Sequence, residues 1–152
     1  GRLVEDYEVV DVYVHGDQTN HFFKVPLDVG YESQQLYSTE IMATNCRAFM
    51  FNLRSCYVGD FKTTNYMAGA YLFGESDYSL VALASSRAGS MNGHQSGWFY
   101  DGVNNGEPLG YAWLDWWERV FDDYADPEWG AGKVVRNPQG GMIFFGDPAL
   151  RL

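Results

Sequence analysis

The hydrophobic positions of this chain fall into short blocks, each closed by glycine or by polar turn residues. Val9 to Val14 has the β-branched and aromatic bias of a buried strand, and it stops at His15-Gly16. Residues 17 to 40 are polar and interrupted by Pro26 and Gly30, which predicts a long loop excursion. Ala48 to Leu53 is a second apolar run, closed by Arg54-Ser55-Cys56. "TTNYMAGAYLFG" predicts a helix, with Thr64 or Asn65 as N-cap and Gly74 as its stop. Ser79 to Ser85 is a third short strand, followed by a Gly/Ser/Asn loop over 86–97. The best helix runs from Pro108 to Asp123, because Leu109, Ala112, Trp113, Trp116, Val120 and Phe121 recur at helical spacing. Residues 124–139 read as loop, and Met142 to Phe145 as a last strand.

Strands alternating with helices imply an α/β domain around a mostly parallel sheet. In such sheets ligands bind beyond the carboxyl ends of the strands. His15, Cys56 and the run Ser85-Ser86-Arg87 each lie just past such an end. They are therefore expected to converge on one rim.

Composition narrows the class of partner. The 152 residues fit one domain with a real core, and 20 acidic against 10 basic side chains give a net charge of −10. That balance argues against a nucleic-acid backbone as partner, and no apolar run is long enough to span a membrane. The opening residues lack a signal-peptide core, so a targeting segment is expected to be absent or removed. Cys46 and Cys56 flank the second strand, which when extended holds their α-carbons on the order of 30 Å apart. They are too far apart to pair, and two free thiols are expected.

The chemistry lies in two parallel designs, "VVDVYVHG" and "AFMFNLRSC", each a hydrophobic strand ending in a reactive side chain. A thiolate becomes a good nucleophile when an adjacent imidazole manages its proton. Glycine after the histidine lets backbone approach a substrate and offer an N–H to a developing oxyanion. Other readings of these residues stay open. His15, Asp17 and His21 could hold a metal, although no two-histidine helix motif accompanies them. Cys46 reads as structural, His94 as a solvated loop residue, and Trp113, Trp116 and Trp117 as one helix packing on the sheet.

The ordered set of blocks resembles the caspase-like (clan CD) cysteine peptidases. Hydrophobic block, His-Gly, spacer, hydrophobic block and Ser-Cys make up that signature. "NLRSCYVGDF", "NYMAGAYLFG", "SLVALASSRAGSM" and "GMIFFGDPALRL" look most like its gingipain-type branch. The resemblance covers about residue 9 to 152. It implies a caspase-like three-layer α/β sandwich, and a cysteine endopeptidase with Cys56 as nucleophile and His15 as general acid. Gly16 and Cys56 amides would form the oxyanion hole, and Ser85, Ser86, Arg87 and Met91 would line the substrate cleft.

Further expectations follow from the same resemblance. Residues 1–152 would be the C-terminal portion of a catalytic domain, because the family's sheet has strands before the histidine strand. A second chain, or an N-terminal portion of the same protein, would then cover the open edge. A secreted or cell-surface setting is implied, with no cofactor required. The acidic cluster of Asp122, Asp123, Asp126 and Glu128 is a candidate for structural calcium, and otherwise a solvated helix end. The alternative class is a non-catalytic domain of the same fold, serving assembly, surface attachment or glycan binding.

Overall fold

The computed structural model describes residues 2–75, 78–91, 93–125 and 141–152. After a 3-10 turn at Arg2–Val4, β1 (Tyr7–Tyr13) leads to the two-residue β2 (His15–Gly16). β3 (Asn20–Pro26) and β4 (Tyr31–Tyr37) follow, then α1 (Ser38–Met42) and β5 (Ala48–Arg54). α2 (Met67–Phe73), β6 (Val81–Ser85), α3 (Gly93–Asn104), α4 (Leu109–Ala125) and β7 (Met142–Gly146) complete the order.

The main sheet runs β1-β5-β6-β7, with β1, β5 and β6 parallel and β7 antiparallel to β6. Strand alternation divides its side chains between two cores. Phe51, Leu53, Ala82 and Ala84 pack with Ile41, Met67, Ala68, Ala70 and Tyr71 of α1 and α2. Met50, Val81 and Leu83 pack instead with Phe99, Leu109, Ala112, Trp116 and Val120 of α3 and α4. The layers are therefore helix, sheet, helix. β5 and β6 are covered on both faces, which is why their sequences are almost continuously apolar. Among the described residues no strand pairs with the outer edge of β1, whose Val9, Val10 and Val12 stay half-buried.

The largest departure from the sequence reading concerns residues 17 to 40. They form no loose excursion but an antiparallel hairpin, β3 with β4, extended by β2 into a second sheet. The hairpin turns through residues 27–30, closed by Leu27 N–H to Gly30 O at 3.1 Å, with Gly30 at φ +83°. β4 escapes a periodicity reading because both its faces are largely exposed, leaving no apolar alternation. A second departure is α3, which starts inside the segment read as a Gly/Ser/Asn loop and includes His94.

Smaller shifts have local causes. α2 begins only at Met67, because Asn65 adopts φ +56° and neither Thr64 nor Asn65 caps it; Tyr66 is the N-cap. Trp113, Trp116 and Trp117 stack on one another along α4, with Trp116 fully buried over the sheet. Of the acidic cluster, Asp126 and Glu128 lie outside the described residues, as does most of the loop expected at 124–139. Both cysteines are free.

Candidate active site

β1 and β5 pair in a single register, from Tyr7 beside Ala48 to Tyr13 beside Arg54. The offset is 41 positions, the same that separates Val14 from Ser55 and His15 from Cys56. Parallel strands ending level therefore deliver both reactive side chains to one rim. His15 is exposed and Cys56 half-buried, and both line a pocket of about 340 Å³ with Tyr13, Val14, Arg54, Ser55 and Ser90.

The cysteine loop is tightly held. Tyr57, at φ +60°, turns the chain and donates its N–H to Arg87 O at 3.0 Å, and Gly59 donates to Ser85 O at 2.8 Å. A Cβ at Gly59 would meet Ala84 atoms at 3.0 Å, so glycine allows this loop to lie flat on the end of β6. Gly89, at φ +118°, directs its N–H to Cys56 Sγ at 3.3 Å. A hydrogen bond to sulfur favours the thiolate. Among the described residues the Cys56 amide itself has no partner.

The histidine loop is held from the other side. Asp17 Oδ1 accepts the N–H groups of Thr19 and Asn20, both at 2.9 Å, and so closes the turn after Gly16. Asp17 N–H bonds Asn20 O at 3.0 Å, while His15 pairs with Phe22 and Gly16 with His21. Antiparallel ladders alternate bonded and non-bonded pairs, so the Gly16 peptide faces away from β3. Ser55 Oγ then joins the two loops by donating to Val14 O at 2.8 Å.

The pocket wall carries one ion pair. Arg54 Nε binds Asp11 at 2.8 Å, and its guanidinium lies 4.5 Å from the centre of the Tyr13 ring. Below them Asn52, fully buried, donates to Tyr100 Oη at 2.9 Å, and burial pushes the Tyr100 hydroxyl up to about 12. The Asn52 Oδ1 has no partner among the described residues.

None of Ser85, Ser86, Arg87 and Met91, expected to line the cleft, lines this pocket; Ser90, between them, supplies its wall from this segment. Ser85 is fully buried, with its hydroxyl on Arg87 O at 2.9 Å, and Ser86 Oγ bonds Gly141 O at 3.0 Å. Met91 is core, its sulfur 3.6 Å from Asn52 Nδ2. These three brace the rim from behind, because the β6 alternation and the α3 core draw them inward. Arg87 alone of the four is exposed.

The residue that sequence reasoning left without a role is His21. It is fully buried, with Nδ1 3.4 Å from Ser55 Oγ. Burial holds its imidazole down at about 4, offset in part by the Asp17 carboxylate. The available signal was strand alternation, which puts His21 on the inward face with Phe23 and Val25. His15, Asp17 and His21 form no ligand cluster, and among the described residues no group of three His, Cys, Asp or Glu could hold a metal.

A larger cavity of about 640 Å³ lies elsewhere, lined by Tyr111, Trp113, Leu114, Phe144 and Pro148 with Arg151 at its rim. It is almost wholly apolar and offers no nucleophile, so the smaller pocket is the candidate for chemistry. No helix of the described residues is long and apolar enough to cross a membrane. Comparison with protein-family models, with characterised proteins and with solved structures gives no match.

Proposed function

We propose that this chain is part of a caspase-like cysteine endopeptidase, hydrolysing peptide bonds through Cys56 and His15. The observation that carries this reading is the shared pocket: both side chains line it, level with each other across the β1–β5 register. The Cys56 thiolate attacks the scissile carbonyl carbon, forming a C–S bond and an oxyanion. The unpartnered Cys56 amide and the outward-facing Gly16 amide are the donors available to that oxygen. Protonated His15 gives its proton to the leaving nitrogen as the C–N bond breaks, leaving a thioester. Water then attacks the thioester, His15 takes the water's proton, and the acid and the thiol are released.

The outer edge of β1, unpaired among the described residues, supports a second element of the proposal, pairing with a further strand from another chain or another part of the protein. A solution mass of a bare 17.2 kDa monomer would count against it.

The test is hydrolysis of a fluorogenic peptide library by the full chain, with and without its expected partner portion. Cys56→Ala should abolish turnover and His15→Ala should reduce it by at least about a hundredfold, the usual scale of a lost general acid. Cys46→Ala should leave turnover intact. Hydrolysis that survives Cys56→Ala would remove the dyad from consideration.

A further inference from the structure

The dyad leaves the buried imidazole of His21 unused. His21 lies on β3 beneath Ser55, and both are buried. Ser55 has a single hydroxyl proton, committed to Val14 O at 2.8 Å. Its contact with His21 at 3.4 Å is therefore made by Nδ1–H donating to Oγ. Donation runs in one direction, from His21 to Ser55 to the Val14 carbonyl. This fixes the tautomer and leaves Nε2 as a bare acceptor, with no partner among the described residues.

The three links of that chain come from separate parts of the sequence. Val14 immediately precedes His15, Ser55 immediately precedes Cys56, and His21 comes from the hairpin behind them. An orphaned buried nitrogen costs stability, and an apolar ring at 21 would avoid that cost. It would also remove the only described donor to Ser55 Oγ.

We propose that His21 is a positioning residue, which through Ser55 and Val14 fixes the distance between the His15 imidazole and the Cys56 thiol. The inference rests on the dyad reading above. Because burial keeps His21 neutral through the neutral range, the donating arrangement persists wherever the dyad would work.

The test follows iodoacetamide alkylation of Cys56 by peptide mapping, from mildly acidic to alkaline pH, alongside thermal melts. The full chain is compared with His15→Ala, His21→Phe, His21→Gln and Ser55→Ala. His15→Ala is expected to slow alkylation at neutral pH about tenfold, as the thiol loses the imidazole that manages its proton. His21→Phe and Ser55→Ala should reproduce that slowed profile with native melting retained. His21→Gln should recover most of the rate, since its amide N–H can still donate to Ser55. If His15→Ala slows alkylation while His21→Phe and Ser55→Ala do not, the positioning role is wrong and the dyad stands. If His15→Ala leaves the profile unchanged, the dyad reading fails and the positioning role falls with it. Should His21→Phe not fold, Ser55→Ala decides the matter alone.

Discussion

Gly16 lies so close to Ser55 that a Cβ at position 16 would stand 3.0 Å from the Ser55 Cβ, and equally near Val58 Cγ1 and Asn20 O. The histidine loop and the cysteine loop are in van der Waals contact at that point, with no room for a methyl group. Gly16→Ala is therefore expected to cost about 1–3 kcal/mol by overpacking. A urea titration would measure it, and an unchanged midpoint would mean that the loops part freely. The same variant should slow Cys56 alkylation, because the displaced loop carries His15 with it.

The two thiols should differ sharply in reactivity. Cys46 is buried, and desolvation pushes its thiol up to about 11, whereas Cys56 lines the pocket. The native protein should take up one iodoacetamide, at Cys56, and the denatured protein two. Labelling of Cys46 in the native state at a comparable rate would contradict the burial described for it.

Stability should depend on pH through His21. Its folded value of about 4 lies below the ordinary 6.5, so between these values the unfolded chain binds the additional proton. Stability must then rise with pH across this window and fall as pH is lowered from 6.5 towards 4. The full effect is about 3 kcal/mol for this buried ring. His21→Phe should flatten that segment of a plot of melting temperature against pH. A wild-type curve already flat there would show that His21 is not shielded as described.

Gly89 provides the hydrogen bond to Cys56 Sγ from a backbone conformation, φ +118°, that side chains rarely adopt. Gly89→Ala should shift the loop and withdraw the amide from the sulfur. Alkylation of Cys56 at neutral pH is expected to slow about tenfold, as for a lost charge-assisted bond of roughly 1.5 kcal/mol. An unchanged rate would show that this hydrogen bond does not bear on the reactivity of the sulfur.

Local chemistry determined a good part of this molecule. The strand ends at His15 and Cys56 are written as apolar runs stopped by turn residues, and α4 as a helical stripe of Leu109, Ala112, Trp116 and Val120. β5 and β6 were legible because burial on both faces demands nearly unbroken apolar sequence. The 41-position interval between the two reactive residues is also in the sequence, but there it is only a number.

Tertiary structure decided the rest. The interval acquires meaning from the β1–β5 register, since pairing Tyr7 with Ala48 makes His15 and Cys56 level. That choice depends on contacts between segments far apart in the chain. The β3–β4 hairpin was hidden because its partner strand is exposed on both faces and lacks a period. Met91, expected in the cleft, went to the core because α3 begins two residues later and draws it under the sheet. His21 shows the division most clearly. In sequence it is one more polar letter in a turn-rich stretch, and only folding removes it from water and sets it against Ser55. Burial and partnership are properties of neighbours in space, and a histidine has no charge state, tautomer or role until those neighbours are fixed.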